Sequence, residues 1–303
     1  MYLIETNNLT KKYAKNTVVD HVNMHIPEKC IYGFVGENGS GKTTIMRLLT
    51  GLIEPTEGGY TMFGVENTSK KIYDVRRQMS AIVEVTSLEP NMTALENIQY
   101  LELYLGHKLT KQERHDLLTK VHLENVGNKK VKNFSLGMRQ RLGIALALVN
   151  KPKLMLLDEP MNGLDPEGIA ELRELLIELS LKEGITVLIS SHILSELEKI
   201  ANVYGFIHKG KILQEITNEE LKNRCRKSLM VTVNNSTNID ETFKKLNIFD
   251  YKVLPNGEIY IYDNVSIKDL VINLDKNGYE ILTLNSKDES VEDYYLNLVK
   301  EAK

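Results

Sequence analysis

The stretch Gly36-Glu37-Asn38-Gly39-Ser40-Gly41-Lys42-Thr43-Thr44, set directly after the apolar run Ile31-Tyr32-Gly33-Phe34-Val35, constrains this chain more than any other segment. Glycines at 36, 39 and 41 permit positive φ, so the backbone can curl around an anion. The curled N–H groups form an anion-binding nest, and a helix starting there points its positive end at the same place. Lys42 can then reach the β- and γ-phosphates, and the Thr43 hydroxyl can ligate Mg²⁺. Asn38, Ser40 and Thr44 complete the loop, and Ile45, Met46, Leu48 and Leu49 supply the apolar face of the following helix. A strand–loop–helix of this kind sets the ligand as a nucleoside triphosphate with magnesium.

A second constellation lies downstream. Leu154-Met155-Leu156-Leu157 is short, wholly apolar and ends in Asp158-Glu159-Pro160. Such a run reads as a strand buried on both faces. Thr186-Val187-Leu188-Ile189 is another, ending in Ser190-Ser191-His192, and the amphipathic segment 169–181 between them reads as a helix. This alternation predicts a parallel sheet covered by helices. Ligands then sit beyond the carboxyl ends of the strands, where the phosphate loop, Asp158-Glu159 and His192 converge. Asp158 suits holding Mg²⁺ through water. Glu159 suits polarising the water that attacks the γ-phosphate. His192 could contact the γ-phosphate and hold the Glu159 carboxylate in register. Further along, Phe134-Ser135-Leu136-Gly137 opens a helix whose N-terminus could bind an anion, although spacing does not show that it reaches the same phosphate.

The rest of the chain is read more coarsely. Residues 1–35 alternate like strands of a small antiparallel sheet, with turn signals at Asn7-Asn8 and Pro27-Glu28. Residues 61–85 read as short strands around a polar helix. Residues 91–150 are helical by spacing (Leu95, Ile98, Leu101, Leu105), with a capping box at Thr93 and Glu96. Near residue 218 the texture changes. Lys222, Arg224, Arg226 and Lys227 read as a solvated linker, followed by the order βαββαβ and a final helix, a ferredoxin-like unit without evident chemistry. The expected domains are therefore 1–217 and 218–303.

With 303 residues there is ample material for a large core. A formal charge of −3 gives no basic field, so no nucleic-acid partner is expected. Cys30 and Cys225 make neither a metal pattern nor a disulfide framework, which suits a reducing compartment. The segment Tyr2-Leu3-Ile4-Glu5 reads as a strand rather than a signal peptide, and no apolar run approaches the ~20 residues needed to cross a bilayer.

Together these residues resemble the ATP-binding subunits of ABC transporters, over residues 1–217. The phosphate loop stands where that family has Walker A, 154–159 where it has Walker B, and Ser135-Leu136-Gly137 where it has its signature. Asn162-Gly163-Leu164-Asp165 resembles the D-loop, His192 the switch histidine, and Tyr13 the aromatic that stacks on adenine. The resemblance implies a P-loop α/β ATPase domain with a mixed sheet, an antiparallel β subdomain and a helical subdomain. It also implies ATP hydrolysis and a head-to-tail homodimer in which Ser135, Gly137 and Asp165 of one copy close on ATP held by the other. Separate membrane permease subunits would dock near residues 84–105 and hold the chain on the cytoplasmic face of the membrane.

Departures from the family pattern narrow the reading. Leu136 and Met138 replace the usual signature residues, and Glu84 stands where most relatives have the Q-loop glutamine. This wording is similar to the bacitracin and lantibiotic subgroup, which expels antimicrobial peptides. A carboxylate about 4 Å from another anion costs ~4 kcal/mol at an effective dielectric near 20. Glu84 is therefore expected to face Mg²⁺ or a metal-bound water, as a metal and catalytic residue. Other classes are an importer subunit, a regulatory module without chemistry, and a non-transport ABC ATPase acting on ribosomes or DNA. The last usually carries two cassettes or a long coiled coil, and neither occurs here.

Overall fold

The buried apolar runs become the strands of two sheets that share one core. In this computed structural model the described residues are 2–84, 87–106, 108–225, 227–234, 239–254 and 256–302. The chain divides into two compact units, Met1–Glu219 with Leu298–Lys303, and Glu220–Asn297.

In the first unit, β1 (Tyr2–Tyr13), β2 (Asn16–Val22), β3 (His25–Pro27), β5 (Glu57–Met62) and β6 (Val65–Glu66) form an antiparallel sheet in the order β2-β1-β5-β6, with β3 paired to β1. The expected turn at Asn7-Asn8 is absent. β1 runs straight through it, with Asn8 at φ 46° and register shifts against both neighbours. The two asparagines mark a bulge, because Asn tolerates the left-handed region inside a strand as well as in a turn.

The central sheet has the order β11-β10-β4-β9-β8-β7, comprising β4 (Ile31–Val35), β7 (Met79–Ile82), β8 (Leu154–Asp158), β9 (Thr186–Ser191), β10 (Val203–His208) and β11 (Lys211–Thr217). The five neighbours β10, β4, β9, β8 and β7 pair in parallel, and β11 closes the edge antiparallel to β10. Every residue of β4, β8 and β9 is buried, as continuous apolar runs in a sheet covered on both faces require. Tyr32, Phe34, Leu154 and Leu188 pack with Ile45, Met46 and Leu49 of α1 (Lys42–Thr50), and Leu3, Ile4, Leu9 and Met24 join the same core from the antiparallel layer.

The further helices of this unit are α2 (Ile72–Arg76), α3 (Ala94–Leu105), α4 (Lys111–Lys120), α5 (Leu136–Leu148), α6 (Pro166–Glu183) and α7 (Leu194–Leu197), and α8 (Asn218–Arg224) spans the division at Glu219, with most of its residues in the second unit. Both α3 and α4 begin with complete capping boxes, Thr93 with Glu96 and Thr110 with Glu113. They are joined by a two-pronged ion pair, Arg114 Nε to Glu102 Oε1 at 2.8 Å and Nη2 to Oε2 at 2.7 Å. The core face of α3 is Ala94, Asn97, Ile98 and Glu102, whereas Leu95 and Leu105, which carry part of the helical spacing, are exposed. Lys222 and Arg224, expected in a linker, end α8 instead, and Lys227 already opens the next strand. Arg226 lies outside the described residues.

The second unit is a four-stranded antiparallel sheet, order β13-β14-β12-β15, made of β12 (Lys227–Val233), β13 (Tyr251–Val253), β14 (Glu258–Ile261) and β15 (Ile281–Asp288). Its helices are α9 (Ile239–Lys245), α10 (Ile267–Lys276) and α11 (Val291–Glu301) as far as Asn297, the residues from Leu298 on being counted with the first unit. Val231, Phe243, Ile259, Leu270 and Leu274 form its core. This is the split βαβ arrangement of a ferredoxin-like fold.

Candidate nucleotide and catalytic site

Because five neighbouring strands run parallel, their carboxyl ends share one edge. The phosphate loop leaves β4 there, Asp158-Glu159 ends β8, and His192 follows β9. Two further ends arrive that sequence spacing did not place. β7 delivers Glu84, and β10 leads into the Lys209-Gly210 turn, whose Gly210 N–H donates to the Ser40 carbonyl at 2.9 Å.

Gly41 opens α1 at φ 110°, and a Cβ there would lie 2.9 Å from the Val18 carbonyl oxygen, so both conformation and space demand glycine. The Ser40 hydroxyl is buried with no hydrogen-bond partner among the described residues. A buried donor left alone is costly, so an oxygen-rich ligand in the loop fits its chemistry. Lys42 is 6% exposed, and its Nζ donates to the Gly36 and Glu37 carbonyls at 2.6 and 3.2 Å. Burial pushes the Lys42 pKa down, while Glu159 and Asp158 oppose the shift. An amine desolvated between two carboxylates is suited to meeting phosphate oxygens.

Asp158 is buried at the end of β8, and both its oxygens are engaged. Thr43 Oγ1 donates to Oδ2 at 2.6 Å and Ser190 Oγ donates to Oδ1 at 2.6 Å. Ser190 Oγ also accepts the Glu159 N–H at 2.9 Å. In the sequence Ser190 is only one of two serines after an apolar strand, and no local pattern marks it as a partner of the carboxylates. Glu159 stands at φ 50°, a left-handed conformation that non-glycine residues seldom hold outside functional sites. Its Oε2 meets His192 Nδ1 at 2.7 Å and the His192 N–H at 3.2 Å, while Oε1 lies 3.8 Å from Lys42 Nζ.

Glu84 is 54% exposed and pairs with Arg47 Nη2 on α1. Tyr13 ends β1 opposite Asn16, half exposed, with Lys11 Nζ 5.2 Å from its ring. That hairpin continues to Val18, which abuts Gly41. Thr44 lies on α1, and Asn38 and Gly39 form the exposed tip of the loop.

Ser135 caps α5 by accepting the Met138 N–H at 3.2 Å, and Asp165 caps α6 by accepting the Gly168 N–H at 3.2 Å. The two helix starts lie side by side. A Cβ on Gly137 would touch Leu164 at 3.4 Å, one on Gly163 (φ 73°) would meet Leu136 at 2.8 Å, and Gln140 Nε2 donates to the Asn162 carbonyl at 3.3 Å. The signature-like and D-loop-like segments therefore present one continuous surface.

Comparisons with known proteins agree with this geometry. The family model described as "ABC transporter" matches residues 19–162. The bacitracin transport ATP-binding protein BcrA of Bacillus licheniformis is 41% identical over 300 residues, covering 98% of this chain and 97% of that protein. The lantibiotic transport ATP-binding protein SrtF of Streptococcus pyogenes is 46% identical over 213 residues, covering 70% of this chain and 90% of that one. Among solved structures, an ATP-binding subunit of an ABC transporter superposes with a TM-score of 0.64 at 28% identity, covering 73% of this chain and 92% of that chain. A dimeric post-hydrolysis ATP-binding cassette bound to ADP and phosphate does so at 0.63 and 26%, covering 71% and 98%. This chain belongs to the ABC transporter ATP-binding family, and it is an ATPase of that family.

Proposed function

We propose that this chain is the ATP-hydrolysing subunit of an exporter that clears antimicrobial peptides of the bacitracin class through separate membrane permease subunits. The observation that carries this reading is similarity to the bacitracin relative across 98% of the chain, second unit included. The lantibiotic class is the second reading, favoured by the higher identity over the shorter stretch.

Within the site, Lys42 and the loop N–H groups bind the phosphates, and Tyr13 stacks on the base. Thr43 and Asp158 offer hard oxygen donors, which fit Mg²⁺ and would hold it beside the phosphates. Bound there, the ion would screen phosphate charge. Glu159 orients and deprotonates the attacking water. His192 fixes that carboxylate through Nδ1 and its N–H, leaving Nε2 for the γ-phosphate. Ser135 and Gly137 at the start of α5, with Asp165, face the nucleotide of a second copy, so a head-to-tail homodimer holds two equivalent sites. Exposed Tyr100, Leu103 and Tyr104 on α3 suit docking of the permease, which would hold the chain at the cytoplasmic face of the membrane. Among the described residues no helix is long and apolar enough to cross a membrane.

Deleting the gene and complementing it tests this reading. Wild type should restore survival in bacitracin and Glu159→Gln should not. Protection against a nisin-like lantibiotic instead would select the second reading, and unchanged susceptibility to both peptides would refute both.

A further inference from the structure

We propose that Arg47 is the charge-balancing partner that lets a glutamate stand at position 84 beside bound nucleotide, the two acting as one neutral dyad. The proposal rests on the reading of the phosphate loop as the ATP site and of Glu84 as a group that faces it.

Three observations support it. Arg47 lies one helical turn after Thr43, on the same face of α1, so it flanks the loop. Its guanidinium donates to Glu84 Oε1. That hydrogen bond is the largest cause holding the Arg47 pKa up, against a small opposing effect of burial, and the Glu84 charge adds to it. Glu84 itself stands at φ 69°, two residues past the end of β7, at the edge where the nucleotide residues gather. The left-handed backbone is a strained conformation for a glutamate.

The charges explain the pairing. A lone carboxylate here would repel the triphosphate and compete with it for metal. An amide in the same place would do neither. A guanidinium stays charged at any working pH and forms a directional pair, so it removes the net charge without removing the carboxylate oxygens. With 36% and 54% of the two side chains exposed, the pair adds little to folding. Its effect falls on nucleotide affinity, and Arg47 is a positioning residue, not a catalytic one.

The test is a double-substitution cycle on the full chain. Affinity is read by displacement of a fluorescent ATP analogue, with Mg²⁺ and with chelator, at low and high salt. Arg47→Met should weaken Mg–ATP binding about tenfold, and added salt should shrink that loss. Glu84→Gln leaves the guanidinium unpaired and should tighten Mg–ATP binding, and Arg47→Met combined with Glu84→Gln, neutral like the wild-type pair, should return affinity close to the wild-type value. If the double variant binds as poorly as Arg47→Met, Arg47 acts on the nucleotide directly and the dyad is wrong. Wild-type affinity in Arg47→Met also overturns it. Thermal unfolding of each variant reports folding, which these exposed substitutions should leave unchanged. Lys42→Ala in the same assay should abolish binding, and retained binding there would instead discard the phosphate-loop reading.

Discussion

Ser190 joins the two carboxylates on which the proposed chemistry depends. Its hydroxyl donates to Asp158 Oδ1 and accepts the N–H of Glu159, so one small side chain fixes both the acid proposed to hold metal and the backbone of the one proposed as catalytic. Ser190→Ala leaves a buried carboxylate oxygen and an N–H without this partner, which should cost about 1–3 kcal/mol of stability. Poorer placement of Glu159 should lower kcat about tenfold, the equivalent of ~1.4 kcal/mol in the barrier, with KM for ATP little changed. Steady-state ATPase kinetics beside thermal unfolding check both effects, and an unchanged kcat would deny Ser190 this role. Lys42, Thr43, Asp158 and Glu159 were legible in sequence because each sits at a fixed offset within a strand–loop segment. Ser190 and Arg47 were not, because their partners arrive from other strands at separations that no local pattern encodes.

At the scale of elements, α3 and α4 carry an acid-sensitive start. The Thr93 and Thr110 backbone N–H groups, with lysine partners, hold the Glu96 and Glu113 carboxyls near 2, below their ordinary 4.5. A depressed folded-state pKa means stabilisation that is complete above the ordinary value and is lost as pH falls through the folded one. Stability of this region should therefore decline between about 4.5 and about 2. Glu96→Gln with Glu113→Gln keeps a capping partner that does not titrate. Urea unfolding across that window should show a shallower pH slope for the double variant than for wild type. The capping box at Thr93 was visible in sequence, whereas which side of α3 faces inward was not. Leu95 and Leu105 fit helical spacing yet lie exposed, and the buried face includes Glu102, which needs Arg114 of the next helix to be tolerated there. Spacing reports a helix, but the neutralising partner comes from packing. Likewise the basic run near 222 looked like a linker because charged residues favour solvent, which a solvated face of α8 satisfies equally well.

For the whole molecule, the side-by-side starts of α5 and α6 would let one chain offer a second copy its signature-like and D-loop-like surfaces together in the proposed homodimer. Lys42→Ala and Ser135→Ala chains should each be inactive alone. Mixed, they form hybrids in which one site combines an intact phosphate loop with an intact signature, so partial ATPase activity should return. No recovery on mixing would argue against a composite site. The sequence by itself determined the ligand class, the strand-end carboxylates, the capping box at Thr93 and the order of elements in the second unit, since each is written in residues near one another along the chain. Only the tertiary structure decided that β7 and β10 bring Glu84 and Gly210 to the nucleotide edge, that Ser190 bridges the two acids, and that Arg47 answers Glu84. Strand order in a parallel sheet is set by how helices cover its two faces, and that packing joins residues that spacing leaves apart.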